Sequence, residues 1–292
     1  MKFFAIATVT FGLIAGAAYG AEPDWKAVDQ AIGVEGVPQP DGAHRYNFPR
    51  RDLNVVLDGV KLKPALALGS WLAFLPAGDG VMVMGDLVLT GEEVNPVMKK
   101  LESNGVRITA LHNHLLRSAP STMYMHVGAH GDAVALAKVF HAGLSESKTP
   151  FGPAPAASPA TPSGVKIADL DAILKAKGKD NGGVYQYGFP RAETLKEGGM
   201  TLSGSLGAGT AINFQPTTGG KAAITGDFVM TAAEVNPVID ALQKGGIEIT
   251  ALHNHMLDDE PRLFSMHFWA NDDASKLAKG LRGALDRMNL AK

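Results

Sequence analysis

Residues 109–114 read TALHNH, and residues 250–255 read TALHNH again, 141 positions later. The same offset carries Phe48-Pro49-Arg50 onto Phe189-Pro190-Arg191, Gly85-Asp86 onto Gly226-Asp227, Glu93-Val94-Asn95-Pro96 onto Glu234-Val235-Asn236-Pro237, and His126 onto His267. An offset held over about 80 residues does not arise by chance, so the chain is one domain written twice. The shared segments hold the side chains best equipped for chemistry. They amount to a His-x-His pair and a third histidine, present in both copies.

Residues 1–20 form a short positive start at Lys2, an apolar run too short to span a bilayer, and the small residues Ala17, Ala18 and Gly20. This is the pattern of a secretory signal peptide, with cleavage expected after Gly20 and no transmembrane anchor left once it is removed. A periplasmic or secreted location follows as an expectation. The sequence contains no cysteine, which excludes a disulfide framework, a redox thiol and a Cys-linked lipid. Any metal must then be held by nitrogen or oxygen, with methionine sulfur as the sole soft donor. With 27 basic and 29 acidic residues, the chain has no electrostatic footprint for nucleic acid or an anionic membrane. The expected partner is a small molecule or a metal ion, and the oligomeric state is left open.

A Pro- and Ala-rich stretch, 149–163, cannot sustain a packed core and reads as a linker. It divides the mature chain into a first copy, 21–148, and a second, 164–292, each large enough for its own core. Each copy opens on a short helical pattern, clearest at 167–174, and continues through Phe-Pro-Arg into β-rich stretches at 53–57, 65–75 and 81–89. Thr90 and Glu93, like Thr231 and Glu234, have the spacing of a capping box. The helix starts there, or at Asn95 and Asn236 with the following proline in its first position. A strand is expected at 106–115, a second at 123–127 (265–269 in the other copy), and a closing helix at 132–144 (273–285). This order indicates an α+β fold: two homologous domains, each an antiparallel-rich sheet with two to three helices. The linker permits a pseudo-twofold pair or two separate bodies.

Alternation along 106–115 puts Ile108, Ala110, His112 and His114 on one face. A hairpin register pairing residue 112 with 126, and 114 with 124, would bring His112, His114 and His126 together, with His253, His255 and His267 doing the same in the second copy. Three imidazoles with an open fourth position suit a catalytic divalent ion, zinc first, with copper or manganese as alternatives. The bland alternative is a set of histidines satisfied by hydrogen bonds in a core. His130 extends the first set and becomes Asn271 in the second, which favours the first copy as the working site. His44 and His141 have no counterpart and read as surface residues. Met123, Met125, Met256 and Met266 read as core packing.

Glu93 is the candidate general base if the site hydrolyses a substrate, although capping alone explains its recurrence. Arg50 and Arg191 could clamp an anionic substrate, or pair internally with a carboxylate such as Asp86 or Asp227. Asn113 and Asn254, next to the histidines, complete the candidate substrate contacts. Neither G-x-S-x-G nor G-x-x-x-x-G-K-[ST] occurs. A non-catalytic ligand- or metal-binding protein and a structural envelope module are the other classes the residues allow.

The strings GGVYQYGFPR, MVMGDLVLTGEEVNPVMKKLESNGVRITALHNHLL and MYMHVGAHGDA resemble the LppY/LpqO family, a bacterial exported domain. The resemblance spans nearly all of both copies. It implies export but no established reaction. Named members resemble lipoproteins, whereas this chain lacks the cysteine that lipid attachment requires.

Overall fold

Period-two alternation, not overall apolarity, determines the architecture. Along the strand Gly80–Thr90, Val81, Val83, Leu87 and Leu89 belong to a core shared with helices, while Met82, Met84, Asp86 and Val88 point the other way. Both faces of this strand are buried. The computed structural model describes residues 22–152 and 164–291. The expected signal segment and most of the expected linker lie outside them.

In the first copy the main strands are β1 (Val37–Pro38), β2 (His44–Pro49), β3 (Gly69–Ala77), β4 (Gly80–Thr90), β5 (Arg107–His112) and β6 (Thr122–Gly131). They form an antiparallel sheet in the order β1-β2-β3-β4-β6-β5. Helices α1 (Trp25–Ile32), α2 (Gly91–Glu102) and α3 (Ala133–Leu144) cover one face. The second copy repeats the topology with β7 (Lys179–Asp180), β8 (Tyr185–Phe189), β9 (Thr210–Pro216), β10 (Lys221–Thr231), β11 (Glu248–His253) and β12 (Leu263–Asp273). Its helices are α4 (Ile167–Leu174), α5 (Ala232–Lys244) and α6 (Ala274–Leu285). The α+β class and the doubling hold. The expected strand at 53–57 shrinks to a two-residue arm of the Val56–Leu57 and Val60–Lys61 hairpin, and 65–75 begins as a helical turn, Pro64–Ala67, before β3. The strand that ends in Phe-Pro-Arg, β2, was not expected.

The second face of each sheet packs against that of the other, giving four layers: helices, sheet, sheet, helices. Two apolar clusters join the copies. In one, Leu57, Leu62, Leu66 and Leu68 of the first copy cover Ala223 and Trp269 of the second. In the other, Leu195, Leu202 and Leu206 of the second copy cover Ala73, Met82 and Met84 of the first. Each copy thus lays an arm over its neighbour's sheet. Polar contacts fix the arms: Lys63 N donates to Gln215 Oε1 (2.8 Å), Gln215 Nε2 to Lys61 O (2.9 Å), and Trp269 Nε1 to Asp58 Oδ2 (3.0 Å). At the edge, Arg117 pairs with Glu248 (2.7 Å) and Arg107 with Asp258 (2.7 Å). The 141-residue offset relates these pairs, but their polarity is reversed: the first copy supplies both arginines and the second both carboxylates.

Helix α2 starts at the capping box, not at Asn95. Thr90 N donates to Glu93 Oε2 (2.8 Å), and Thr231 N to Glu234 Oε2 (2.7 Å). Pro96 and Pro237 lie inside their helices on the exposed side, where water can reach the carbonyl that the missing N–H leaves unpaired. Arg50 is fully buried and grips Glu93 with both Nη atoms (2.8 and 3.0 Å) and Asp52 with Nε and Nη2 (2.9 and 2.8 Å), while Nη1 donates to Val88 O. Lys148 N also donates to Glu93 Oε1 (2.8 Å). Arg191 repeats the clasp with Glu234 and Glu193. The internal partner is therefore the cap glutamate, not Asp86 or Asp227, because the fork closes over the helix start. Thr149 is buried and Phe151 packs edge-on to Phe48 (5.8 Å), so the chain stays on the first core past 148. Stranding a buried charge costs about 3–5 kcal/mol. Arg50→Ala is expected to lower unfolding stability by that order in urea denaturation, and Arg50→Lys to recover only part, since an ammonium cannot reproduce the bidentate fork.

Candidate metal centre

In β6 the even-numbered residues face the other sheet, which aims Tyr124 and His126 inward. The register with β4 sets Asp86 directly opposite His126, and Asp227 opposite His267 in the second copy. On the other side His126 faces Ala110 and Tyr124 faces His112. The hairpin is therefore shifted by two residues from the expected pairing of 112 with 126. A bulge between Ile108 and Ala110 moves the register by one residue more and turns Ile108 onto the helix-side core. A two-residue slip preserves the face, so His112 still points inward. His114 lies just beyond the end of β5 and enters the site from the following bend. The same bulge recurs between Ile249 and Ala251.

Because the sheets pack face to face, the two histidine sets are not separate sites. His112 stacks on His253 with ring centroids 3.5 Å apart, His114 on His267 at 3.6 Å, and His126 on His255 at 3.9 Å. Donor atoms of His112, His114 and His126 lie within 4.8 Å of one another, as do those of His112, His253, His255 and His267. The expectation of one working copy is corrected: the six histidines form one cluster in the seam. Met125, Met256 and Met266 are buried packing residues.

All six Nε2 atoms are buried without a hydrogen-bond partner among the described residues. Their Nδ1 atoms tell the complementary story. Nδ1 of His112 faces Asn113 O (3.3 Å), that of His253 faces Asn254 O (2.9 Å), and that of His267 faces Gly226 O (2.8 Å). A carbonyl can only accept, so in these three histidines Nδ1 carries the proton and Nε2 presents its lone pair, as in histidines that bind metal. Gly226 has room for no side chain: a Cβ would run into Ala211 O and the Phe268 ring. Burial, followed by neighbouring imidazoles, pushes His112 down to about 3 and holds His114, His126, His255 and His267 well below the ordinary histidine value. Burial also lowers His253.

Sequence reasoning missed Asp86 and Asp227 as site residues. Asp86 reaches His114 Nε2 and His126 Nε2, each at 3.9 Å, and Asp227 reaches His255 Nε2 at 3.4 Å. The Oδ1 atoms of both are buried without partners among the described residues. Burial pushes Asp86 up to about 8, and burial together with the Asp86 charge raises Asp227 well above the carboxylate range. The signal was available: Gly-Asp is part of the repeat, and an inward position on β4 follows from its alternation. The copies differ nearby. Tyr124, stacked on His114 at 3.4 Å, is replaced by Ser265, whose side chain hydrogen-bonds to Asp227.

A cleft of about 2270 Å³ opens onto the cluster, lined there by Asp86, His114, His126, Asp227, His255 and His267. Arg45, held over the Trp71 ring at 4.1 Å, lines it further out. Arg50, Arg191, Asn113 and Asn254 are not among the lining residues. The arginines are closed in their clasps, and Asn254 Nδ2 donates to Met256 O (2.9 Å) and Thr109 O (3.3 Å). Glu93 has both carboxylate oxygens taken by Arg50 and backbone amides, which removes it as a general base for this site. His130 is exposed at the far end of β6, where Nε2 donates to Ala77 O (3.0 Å), so it does not join the cluster. His44 stacks on Trp25 (3.8 Å), and His141 Nδ1 meets Ile32 O (2.9 Å).

The family model described as Domain of Unknown Function (DUF1259) matches residues 26–146 and again 168–287. The chain belongs to this family. Both DUF1259 matches contain the His-x-His pair, the later histidine at 126 or 267, and the Gly-Asp at 85–86 or 226–227. No curated protein matches the chain. Among solved structures, it is similar to a trimeric bacterial microcompartment shell protein, PduB, at 10% identity over 84% of this chain and 86% of that one, with a TM-score of 0.19. It is similar to EtuB from Clostridium kluyveri at 8% identity over 85% and 87%, with a TM-score of 0.20. At such TM-scores neither likeness carries an argument about the DUF1259 fold.

The site's charges set the pH response of the metal-free chain. Histidines with lowered folded values contribute stability that is present above their unfolded value, about 6.5, and lost as pH falls. The raised carboxylates contribute stability that is present below about 3.9 and lost as pH climbs, for Asp86 through about 8. Six histidines outweigh two carboxylates until they are mostly neutral in the unfolded chain, so the melting temperature should peak between about pH 6 and 7. Asp86→Asn should flatten the decline between that peak and pH 8 in thermal melts of chelator-treated protein, leaving the acid limb in place.

Proposed function

We propose that the chain is an exported metal-binding protein that holds a divalent transition ion between its two copies with His112, His114, His126, His253, His255 and His267. The observation that carries this reading is the convergence of six buried Nε2 atoms that have no hydrogen-bond partner among the described residues. Leaving one such group unpaired costs roughly 1–3 kcal/mol, and an ion would satisfy several together. Imidazole suits zinc, copper, iron and nickel, and the carboxylates widen the range to manganese. Zinc is the first candidate. The metal would supply Lewis acidity at the inner end of the cleft, while the protein's own groups fix the imidazole tautomers through backbone carbonyls. Export rests on the signal-like first twenty residues and on the LppY/LpqO resemblance. Among the described residues, no helix is long and apolar enough to cross a membrane.

A second reading, metal-assisted hydrolysis of a small molecule, is favoured by the cleft, which brings solvent space up to four of the six histidines. Without such access, storage or structural use of the ion would be the natural choice.

Elemental analysis of the chain purified without a histidine tag, beside a His112→Ala, His253→Ala double variant, tests the proposal. The wild type should carry near-stoichiometric metal and the variant less than about a tenth of it, since each ligand group loses a central donor. A wild-type chain that takes up no zinc, copper, manganese or iron on reconstitution would refute it.

A further inference from the structure

The proposed function leaves the number of ions open, and the donor atoms bear on it. Eight buried donor atoms without partners face the seam: six Nε2 and the Oδ1 atoms of Asp86 and Asp227. One transition ion takes four to six ligands. The donors also divide by copy. His112, His114 and His126 form one group, and His253, His255 and His267 form another that His112 also reaches. No group contains all six. A carboxylate flanks each group: Asp86 lies 3.9 Å from both His114 and His126, and Asp227 lies 3.4 Å from His255. Two ligands at about 2.1 Å from a tetrahedral ion stand about 3.4 Å apart, and opposite ligands of an octahedral ion about 4.2 Å apart, so these separations suit donors to a shared ion.

Symmetry points the same way. A single ion that used both copies equally would lie on the pseudo-twofold axis, beside the place where His112 and His253 stack at 3.5 Å. Rings in van der Waals contact leave no room for an ion between them. An ion displaced to one side is duplicated by the repeat on the other.

We propose that the seam holds two divalent ions, one bound by His112, His114, His126 and Asp86 and the other by His253, His255, His267 and Asp227. This rests on the reading of the cluster as a metal site. The central imidazole stack separates the ions, and both face the cleft. Two cations would also compensate two buried carboxylates, which six neutral imidazoles cannot do. Sites with paired ions act as a clamp on ligands that offer two anionic oxygens, and the cleft leads to both.

The test is titration of the full chain, stripped with chelator, with cobalt(II) alone. It is followed by visible absorption and by elemental analysis after gel filtration. The wild type should bind two equivalents. Asp86→Asn, His126→Ala should bind one, and Asp227→Asn, His267→Ala should bind the other. Far-UV circular dichroism checks the fold of each variant, and the wild-type count needs no variant at all. One equivalent in the wild type would overturn the two-ion inference while leaving the metal site standing. Zero equivalents would overturn both. Loss of both ions from either folded double variant would show a single interdependent centre and also overturn the assignment by copy.

Discussion

The packing of one sheet's second face on the other is the contact on which everything else depends. A strand such as β4, with Met82, Met84 and Val88 on that face, could not stand in water. Pressed together, the sheets bury an apolar border on two sides of the seam. The polar row between those borders, Asp86 with His126 and Asp227 with His267, is largely withdrawn from water by the same contact and meets solvent only at the cleft. The fold thus forces desolvation on groups that would be ordinary on an open sheet. Their altered proton affinities and unsatisfied lone pairs follow from where the sheets meet.

Much of this was legible in the sequence. The repeat exposed the doubling, Thr90 and Glu93 marked the start of α2, and TALHNH with the later histidine picked out all six members of the cluster. What local pattern could not supply was the docking of one copy on the other, because no residue spacing encodes which faces of two separate sheets will meet. Two sites were therefore read where there is one seam. His130 shows the related limit: alternation places it on the same face as His126, but position along the strand takes it out of reach. Arg50 was read as a clamp for an anionic substrate or an internal ion pair with a carboxylate such as Asp86; its partner is Glu93, and that choice depends on where α2 begins relative to β2. The slip in register is set by the connection between β5 and β6, whose length leaves His112 opposite Tyr124.

The two kinds of buried charge in each copy behave in opposite ways. Arg50 and Glu93 neutralise one another within bidentate distance, and their lone pairs and protons are fully used. That is a closed arrangement, suited to holding a helix end on a sheet. Asp86 sits among neutral imidazoles with an oxygen unused, an open arrangement in which burial pushes its carboxyl up to about 8 against the opposing pull of the Arg45 charge. Both arrangements occur twice, once in each copy.

The reversed polarity of Arg117–Glu248 and Arg107–Asp258 bears on the history of the duplication. If a single copy paired with its own twin through this face, the first would bring arginine to glutamate's place and the second would set carboxylate against carboxylate. An ancestral homodimer joined into one chain would have been free to drift toward such asymmetry, since each half always met the other. At this edge each half complements the other and not itself, so the seam that holds the histidines is matched between two unlike faces.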